Sequence, residues 1–170
     1  MSEPQRILIE SLVVVRCQTG DDTAFEKLYE LYSDRLLYYL RRLMGVGGSA
    51  EDTAQVVWLT VYRKIKTLDE PRAFRGWLYR IAHNEAISAL RRCGREISWE
   101  EAGADDAIGA DDGHDDIEQF DAADAAAVHA GLERISQPHR AALALRFLHE
   151  MSYEEIAEIT QVSVGTVRLP

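Results

Sequence analysis

A strongly acidic segment divides this chain of 170 residues into two parts. Residues 99–131 contain eleven Asp and Glu residues and no Lys or Arg, and Ala and Gly make up much of the remainder. A segment of this composition has too few large apolar side chains to offset the entropy that ordering costs. We therefore predict a flexible acidic linker at 99–131, which joins an N-terminal domain at 1–98 to a C-terminal domain at 132–170.

The net charge of −10 is concentrated in this linker. Residues 1–98 contain fifteen basic and thirteen acidic residues, and residues 132–170 contain four basic and five acidic residues. Both flanking domains are therefore close to neutral, and the average charge describes neither of them. The acidity of the whole chain does not argue against nucleic-acid binding by either domain.

Several classes of protein are disfavoured by the composition. The apolar runs are too short to span a membrane, the first residues do not resemble a signal peptide, and Cys17 and Cys93 are too few for a disulfide framework. We therefore expect a cytoplasmic chain with reduced thiols and no direct membrane insertion. The sequence shows no zinc-spaced His/Cys cluster, phosphate loop, acid–base pair or nucleophile motif. We predict no metal, no cofactor, no small-molecule substrate and no enzymatic activity.

The N-terminal part has helical periodicity nearly throughout, because apolar residues recur at spacings of three and four and nothing alternates as in a strand. Helices are predicted at 7–18, from Thr23 through Leu43 with Asp22 as N-cap, from a capping-box-like start at Ser49 and Asp52, and at about 73–92. Pro71 marks the loop before the last of these helices. The predicted fold class is all-α.

The C-terminal part reads as a helix-turn-helix. Residues 136–151 form the first predicted helix, and Ser152 with Glu155 has the spacing of a capping box at the start of the second. A short turn follows at Gln161, and Ser163 is placed to cap a third helix. This motif is common in DNA-binding proteins, in which the last helix enters the major groove. The chain is thus predicted to hold two small helical domains.

The loop and helix at 69–95 combine arginines with aromatic residues. Such a combination can neutralise phosphates and stack on unpaired bases, and the Asn84 amide could read a base edge. The alternative is an amphipathic helix with a solvated basic face; Trp77 is assigned to the core because it shares a face with Leu78 and Ile81. The arginines are Arg72, Arg75, Arg80, Arg91, Arg92 and Arg95, with Trp77, Tyr79 and His83 interleaved.

The helix that begins near Ser49 has two different faces. Ala54, Trp58 and Val61 form a core stripe, and polar and apolar residues alternate on the opposite side. Apolar side chains exposed beside polar ones are typical of a protein-binding surface. The alternative is a short helix that packs on both sides. The residues of the opposite face are Asp52, Gln55, Val56, Leu59 and Arg63.

The order of these motifs resembles the extracytoplasmic-function sigma factors of bacterial RNA polymerase. The stretches "AFEKLYELYSDRLLYYLRRL", "AEDTAQVVWLTVYRKI" and "FRGWLYRIAHNEAISALRR" are similar to the family's sigma-2 domain, and "LERISQPHRAALALRFLHEMSYEEIAEITQVSVGTV" is similar to its sigma-4 domain. The acidic linker lies where the family has a variable connector. The resemblance implies a sigma factor that directs promoter-specific transcription initiation and is regulated by an anti-sigma factor.

The resemblance also implies a role for each matching position. Contacts with core polymerase, through the clamp helices of its largest subunit, would come from Asp52, Gln55, Val56 and Leu59. Contacts with the melted minus-ten promoter element would come from Arg72, Arg75, Arg80, His83, Asn84, Arg91, Arg92 and Arg95. Contacts with the minus-thirty-five element would come from Ser163, Thr166 and Arg168.

The sequence departs from the family pattern at three places. Val56 replaces a frequent acidic residue, and Gln161 replaces a frequent Gly, which predicts modest strain at a positive φ. The recognition helix is expected to be truncated, because the sequence stops at Pro170. We therefore expect the apolar face around Ile156, Ile159 and Val164 to be partly exposed, so that an anti-sigma helix or a second copy of the chain would cover it.

Two other functions are left open by the residues. A plain helix-turn-helix regulator would bind duplex DNA without polymerase, but it leaves the arginine-rich helix and the helix after Ser49 unexplained. A sigma-like decoy would bind core polymerase or an anti-sigma factor without starting transcription, and the expected truncation favours it.

Overall fold

The computed structural model describes residues 3–45, 48–94 and 136–168, and within them it contains helices and no strand, which confirms the all-α prediction. Among these described residues, four α-helices lie in the N-terminal part and three in the C-terminal part, which confirms the prediction of two helical domains. The predicted linker at 99–131 lies outside the described residues. The helices are α1 (Glu3–Gln18), α2 (Asp22–Met44), α3 (Ala50–Lys64), α4 (Phe74–Arg92), α5 (Gln137–Leu148), α6 (Tyr153–Thr160) and α7 (Val164–Val167), with short 3-10 helices at Ile65–Thr67 and Pro71–Ala73.

Side-chain caps set the start of several helices. Asp21 caps α2 by accepting from the backbone N–H of Thr23 and Ala24, so the predicted cap at Asp22 is wrong by one residue. Ser49 caps α3 as predicted. At α6 both capping-box hydrogen bonds are present: the Glu155 N–H donates to Ser152 Oγ over 3.1 Å, and the Ser152 N–H donates to Glu155 Oε2 over 2.8 Å.

The connections of the C-terminal domain contain two residues with positive φ. Helix α5 ends three residues earlier than predicted, because the chain turns at Glu150 with φ 52° and the Arg146 guanidinium donates to the Met151 carbonyl over 3.1 Å. Gln161 has φ 59° and ψ 33° in the turn of the helix-turn-helix. This left-handed conformation confirms that the position would favour Gly, as the sequence comparison with the family pattern predicted.

The N-terminal core is formed where α2, α3 and α4 meet. These helices bury their apolar stripes at spacings of three and four, and the largest fully buried side chains include two tyrosines. Helix α1 covers one side of α2 and contacts the two 3-10 helices. The buried stripes include Leu28, Leu36, Tyr39 and Leu40 of α2, Val57 and Val61 of α3, and Phe74, Leu78, Tyr79 and Ala82 of α4.

The C-terminal domain packs directly against the N-terminal domain. Helix α5 runs along α2, and α6 packs on α4. Ile156 and Ile159 of α6 are buried, so the expectation that they are partly exposed is wrong; Val164 is half-buried. The physical reason is that α4, α5 and α7 of the same chain surround α6.

Candidate nucleic-acid and protein interfaces

The predicted polymerase-binding residues lie together on the outer face of α3. Asp52, Gln55, Val56 and Leu59 are all exposed, with exposed fractions of 45% for Val56 and 50% for Leu59. The alternative that α3 packs on both sides is not supported, because its buried residues all lie on the opposite face. The helix therefore offers a continuous surface with apolar centres and polar neighbours, which is a composition suited to a protein partner.

Aromatic packing beneath α3 fixes which of its faces points outward. The Trp58 ring lies edge-on to Phe25, with centroids 6.0 Å apart, and 5.0 Å from Tyr29. Tyr62 packs edge-on against Phe25 at 5.0 Å. Tyr29 and Tyr62 are nevertheless about half exposed, so they border the α3 surface. Neither tyrosine was predicted to lie at this surface, although Tyr62 follows Leu59 by three residues and so lies on the same side of the helix.

Asp52 also has a role in the start of α3. Its backbone N–H donates to Ser49 Oγ, and the Ser49 hydroxyl donates back to the Asp52 carboxylate. Such local bonds stabilise the first turn of a helix. A substitution of Asp52 would therefore change the helix cap as well as the surface, whereas Gln55 and Leu59 can be changed without this effect.

The exposed side of α4 carries four of the eight predicted minus-ten residues. Arg80, Asn84 and Arg91 are exposed and follow one another at spacings of four and seven, which places them on one side of the helix. Arg92 is exposed nearby, and its Nε donates to the Ser88 carbonyl over 3.3 Å. Arg72 is exposed in the 3-10 helix before α4. Arg95 lies outside the described residues.

His83 is not placed for DNA contact, so the prediction for this residue is wrong. Its side chain is 5% exposed on the inner face of α4, and its Nδ1 lies 2.9 Å from the Tyr39 hydroxyl. Burial lowers the pKa of His83 to about 4 and raises the pKa of Tyr39. Both groups are therefore neutral at pH 7, and the pair satisfies two buried polar groups inside the core.

Arg75 and Trp77 face the protein more than the solvent. The Arg75 side chain is 23% exposed, and its Nη2 lies 3.7 Å from Glu155 Oε1 of α6. Trp77 is half-buried and packs against Phe74 with ring centroids 6.0 Å apart. The assignment of Trp77 to the core is confirmed, because it packs against the buried apolar cluster.

The helix-turn-helix presents its predicted contact residues at the surface. Ala157 and Val167 are buried where α6 and α7 cross, and Val162 and Val164 pack against the same cluster. The Ser163 hydroxyl caps α7 by accepting from the Thr166 N–H over 3.2 Å. Ser163, Thr166 and Arg168 are all exposed.

Arg168 is held near the start of α6. Its guanidinium carbon lies 5.4 Å from the centroid of the Tyr153 ring, and Nη2 lies 3.8 Å from Glu154 Oε1. Both ion-pair partners are more than 60% exposed, so the pair is weak in water. A phosphate group could replace Glu154 as the partner of Arg168 at little cost.

Comparisons with known proteins identify the family of the chain. The family described as Sigma-70 region 2 matches residues 28–96, and the family described as Sigma-70, region 4 matches residues 125–169. The RNA polymerase sigma-H factor of Pseudomonas aeruginosa is 35% identical over 92% of this chain and 84% of its own length. The ECF RNA polymerase sigma-E factor of Haemophilus influenzae is 34% identical over 95% of this chain and 88% of its own length.

The chain belongs to the extracytoplasmic-function sigma factors. It is thus an RNA polymerase sigma factor for promoter-specific transcription initiation, and its two sigma domains imply binding to core RNA polymerase and to promoter DNA. Sigma factors are non-enzymatic initiation factors. A solved structure of CnrH in complex with the cytosolic domain of CnrY shares the fold, with a TM-score of 0.59 at 19% identity over 93% of this chain and 86% of that one.

Residues 3–45, 48–94 and 136–168 have neither a membrane-spanning helix nor a cluster of metal ligands. None of their helices is both long and apolar enough to cross a membrane. Residues 3–45, 48–94 and 136–168 also contain no group of three or more His, Cys, Asp or Glu side chains that could hold a metal ion.

Because two of its histidines are buried, we predict that the folded protein loses stability in mild acid. Burial lowers the pKa of His83 to about 4 and that of His149 to about 3, with Arg35 and Arg75 adding to the effect on His149. Both values lie below the ordinary value near 6.5, so the unfolded chain binds more protons than the folded chain as the pH falls from about 6.5 to 4. This contribution to stability is complete above about 6.5 and is lost through that window.

We expect the free energy of unfolding to decrease by about 1.4 kcal/mol per pH unit for each of these histidines near pH 5. Urea unfolding at pH 7, 6 and 5 measures this decrease. His83→Gln keeps a hydrogen-bonding side chain beside Tyr39 but does not titrate. The free energy of unfolding of this variant should therefore fall less steeply with decreasing pH, by the contribution of one proton. An identical slope in the variant would show that His83 is not the source.

Proposed function

We propose that this sigma factor binds the clamp helices of the largest polymerase subunit through α3 and the melted minus-ten element through α4. The observation that carries the proposal is that α3 and α4 pack on each other while each leaves a distinct surface exposed. The surface of α3 has Val56 and Leu59 beside Gln55, and that of α4 has Arg80 and Arg91 beside Asn84. One rigid unit can therefore hold polymerase and promoter strand together.

The composition of each surface fits its proposed partner. The half-exposed Val56 and Leu59 give α3 apolar contact area, with Tyr62 and Tyr29 at its edge as rigid aromatic groups. The exposed arginines of α4 would neutralise phosphates of a single strand, and the Asn84 amide would donate to and accept from a base edge.

The C-terminal domain would bind the minus-thirty-five element. Ser163 and Thr166 at the start of α7 can donate to phosphate oxygens, and Arg168 can supply a positive charge. The boundaries of the two domains at 1–98 and 132–170, and the linker between them, stay predictions from the sequence.

Control by an anti-sigma factor is part of the same proposal. CnrH, which shares the fold, is seen in complex with the cytosolic domain of another protein, CnrY. A cytosolic partner of this kind would meet the present chain in the cytoplasm, where polymerase also acts. In this proposal the chain itself carries out no catalysis, takes no small-molecule substrate and does not enter the membrane.

Run-off transcription tests the proposal against the decoy alternative. Core polymerase is mixed with the full chain and a library of promoter fragments, and transcripts are sequenced from their 5′ ends. We expect initiation from a subset of fragments that share spaced minus-ten and minus-thirty-five sequences. Binding to core polymerase without any transcript would identify a decoy, and duplex binding without polymerase binding would identify a plain helix-turn-helix regulator.

Changing the α3 surface should weaken polymerase binding without unfolding the domain. We expect Gln55→Ala with Leu59→Ala to lose about 1–2 kcal/mol for each side chain that lies centrally in the interface. Titration of labelled sigma factor with core polymerase measures the loss. The matched control is the double variant Lys27→Ala with Leu31→Ala. These two residues have the same four-residue spacing and are both exposed on α2. Equal affinity of the two double variants would remove α3 from the interface.

Removing one arginine of α4 should lower the salt dependence of binding to single-stranded DNA. Each phosphate contact contributes about 0.7 to the slope of log K against log salt concentration for a single strand. We expect Arg80→Ala in the polymerase complex to lower the slope by about this amount, measured by fluorescence anisotropy. Arg41→Ala is the control, because Arg41 is an exposed arginine of α2 that pairs with Glu51. An unchanged slope for Arg80→Ala would contradict the α4 assignment.

A further inference from the structure

Helix α1 carries exposed apolar side chains on the side that points away from the rest of the domain. Leu8, Leu12 and Val15 follow one another at spacings of four and three, so they form one stripe along the helix. They are 52%, 57% and 42% exposed, and Ile9 beside them is 48% exposed. We call these four residues the outer stripe. The opposite side of α1 is buried against α2 and the two 3-10 helices. The helix is therefore apolar on two sides, as in helices that are covered on both.

The geometry of the outer stripe fits another helix. Gln5 and Thr19 continue the alternating spacing of three and four by one position at each end, and both are exposed. This repeat is the pattern by which two helices pack at a small angle, with the side chains of one helix between those of the other. From residue 5 to residue 19 the repeat extends about 21 Å at 1.5 Å per residue. We therefore expect a helix as the occupant of the outer stripe.

Charge argues against two other occupants of the outer stripe. The segment at 99–131 has eleven acidic residues and no basic one, so a helix formed from it would need cations beside the apolar contact. The basic residues of α1 are Arg6 and Arg16, and they already lie 3.9 Å from Glu150 and 2.6 Å from Asp21. A membrane surface is also disfavoured, because anionic lipids repel a chain with a net charge of −10.

A second copy of α1 matches the outer stripe without repulsion. The positions on either side of Leu8, Leu12 and Val15 are Ile9, Ser11, Arg16 and Gln18, so only one of them is charged. When two copies of α1 lie antiparallel about a two-fold axis, the leucines of one copy meet those of the other, and the two Arg16 side chains lie at opposite ends of the pair. In a parallel pair both Arg16 side chains lie at the same end. Like-charge repulsion therefore favours the antiparallel arrangement.

The area of the outer stripe is enough for a weak pair. Aliphatic side chains that are about half exposed at four positions offer roughly 300–400 Å² of apolar surface per copy, which is the scale of the largest apolar patch on an ordinary monomer. Two copies would bury roughly 600–800 Å² of this surface, which is less than the roughly 1,200 Å² of the smallest stable interfaces. The pair should therefore form at high protein concentration and dissociate on dilution.

We propose that the outer stripe of α1 is a self-association surface, on which α1 of a second copy of this chain packs antiparallel. The free chain is then a monomer at low concentration and a reversible dimer at high concentration. No residue of the outer stripe belongs to the surfaces proposed for polymerase or DNA, so self-association can be measured and altered independently of them.

Sedimentation velocity of the full chain at increasing concentration tests this surface. We expect monomer below about 1 µM and a growing dimer fraction above about 100 µM, as for weak interfaces. Leu8→Gln with Leu12→Gln should weaken self-association at least about tenfold, because two central apolar side chains become polar. The matched control is Leu31→Gln with Phe147→Gln, which changes two exposed apolar side chains of α2 and α5 and should leave self-association unchanged. Gln is a good helix former, so all four exposed positions should tolerate it.

Disulfide trapping tests the antiparallel packing. The background variant is Cys93→Ser, which leaves only Cys17, a buried thiol whose pKa is raised to about 11 and which therefore resists oxidation. In this background, Gln5→Cys chains mixed with Thr19→Cys chains should form mixed dimers, because antiparallel helices bring residue 5 of one copy near residue 19 of the other. A majority of dimers between like chains would contradict the antiparallel packing.

Binding to core polymerase separates self-association from the other occupants. At concentrations where the chain is monomeric, Leu8→Gln with Leu12→Gln should bind core polymerase as the wild-type chain does. Three results would overturn the proposal: a wild-type chain that stays monomeric at every concentration, equal dimer formation by the stripe variant and the wild-type chain, or loss of polymerase binding with unchanged self-association. A wild-type chain that dimerises but does not bind polymerase would support self-association and refute the proposed function separately.

Discussion

The exposed surfaces of the N-terminal domain depend on how α4 packs. Its inner face buries Tyr79, His83 and Leu90 against α2 and α6, and its outer face leaves Arg80 and Asn84 in solvent. If α4 turned about its own axis by one residue, or about 100°, an arginine would be buried without a partner. Such burial costs several kcal/mol. The buried Tyr39–His83 bond opposes such a rotation, because turning α4 would leave two buried polar groups without this hydrogen bond.

Local patterns were sufficient to predict most of the helical structure. The three-and-four spacing of apolar residues located α2, α3 and α4 within a few residues, since a helix buries one stripe wherever it packs. The exposed side of α3 followed from the same pattern, because Val56 and Leu59 fall outside the stripe that contains Trp58. Ser49 and Ser152 were identified as caps because their side-chain bonds involve residues only three positions away.

The incorrect predictions for His83 and for the α6 isoleucines have different physical origins. His83 was assigned to DNA because it stands among arginines, but its spacing of four from Tyr79 and seven to Leu90 places it on the buried side. That signal was present in the sequence. The burial of Ile156 and Ile159 had no such signal, because the packing of α6 on α4 joins residues about 75 positions apart and leaves no trace in local periodicity. The partners of Arg75 and Tyr79, which are Glu155 and His149, are equally distant in sequence and left no local signal either.

The structure contains two Tyr–His pairs of similar chemistry but different position. The pair of Tyr39 and His83 joins α2 to α4 within the N-terminal part of the chain, whereas the pair of Tyr79 and His149 joins α4 to the residue that follows α5, 70 positions along the chain. The ion pair of Arg75 and Glu155 beside it is partly exposed and therefore contributes little energy.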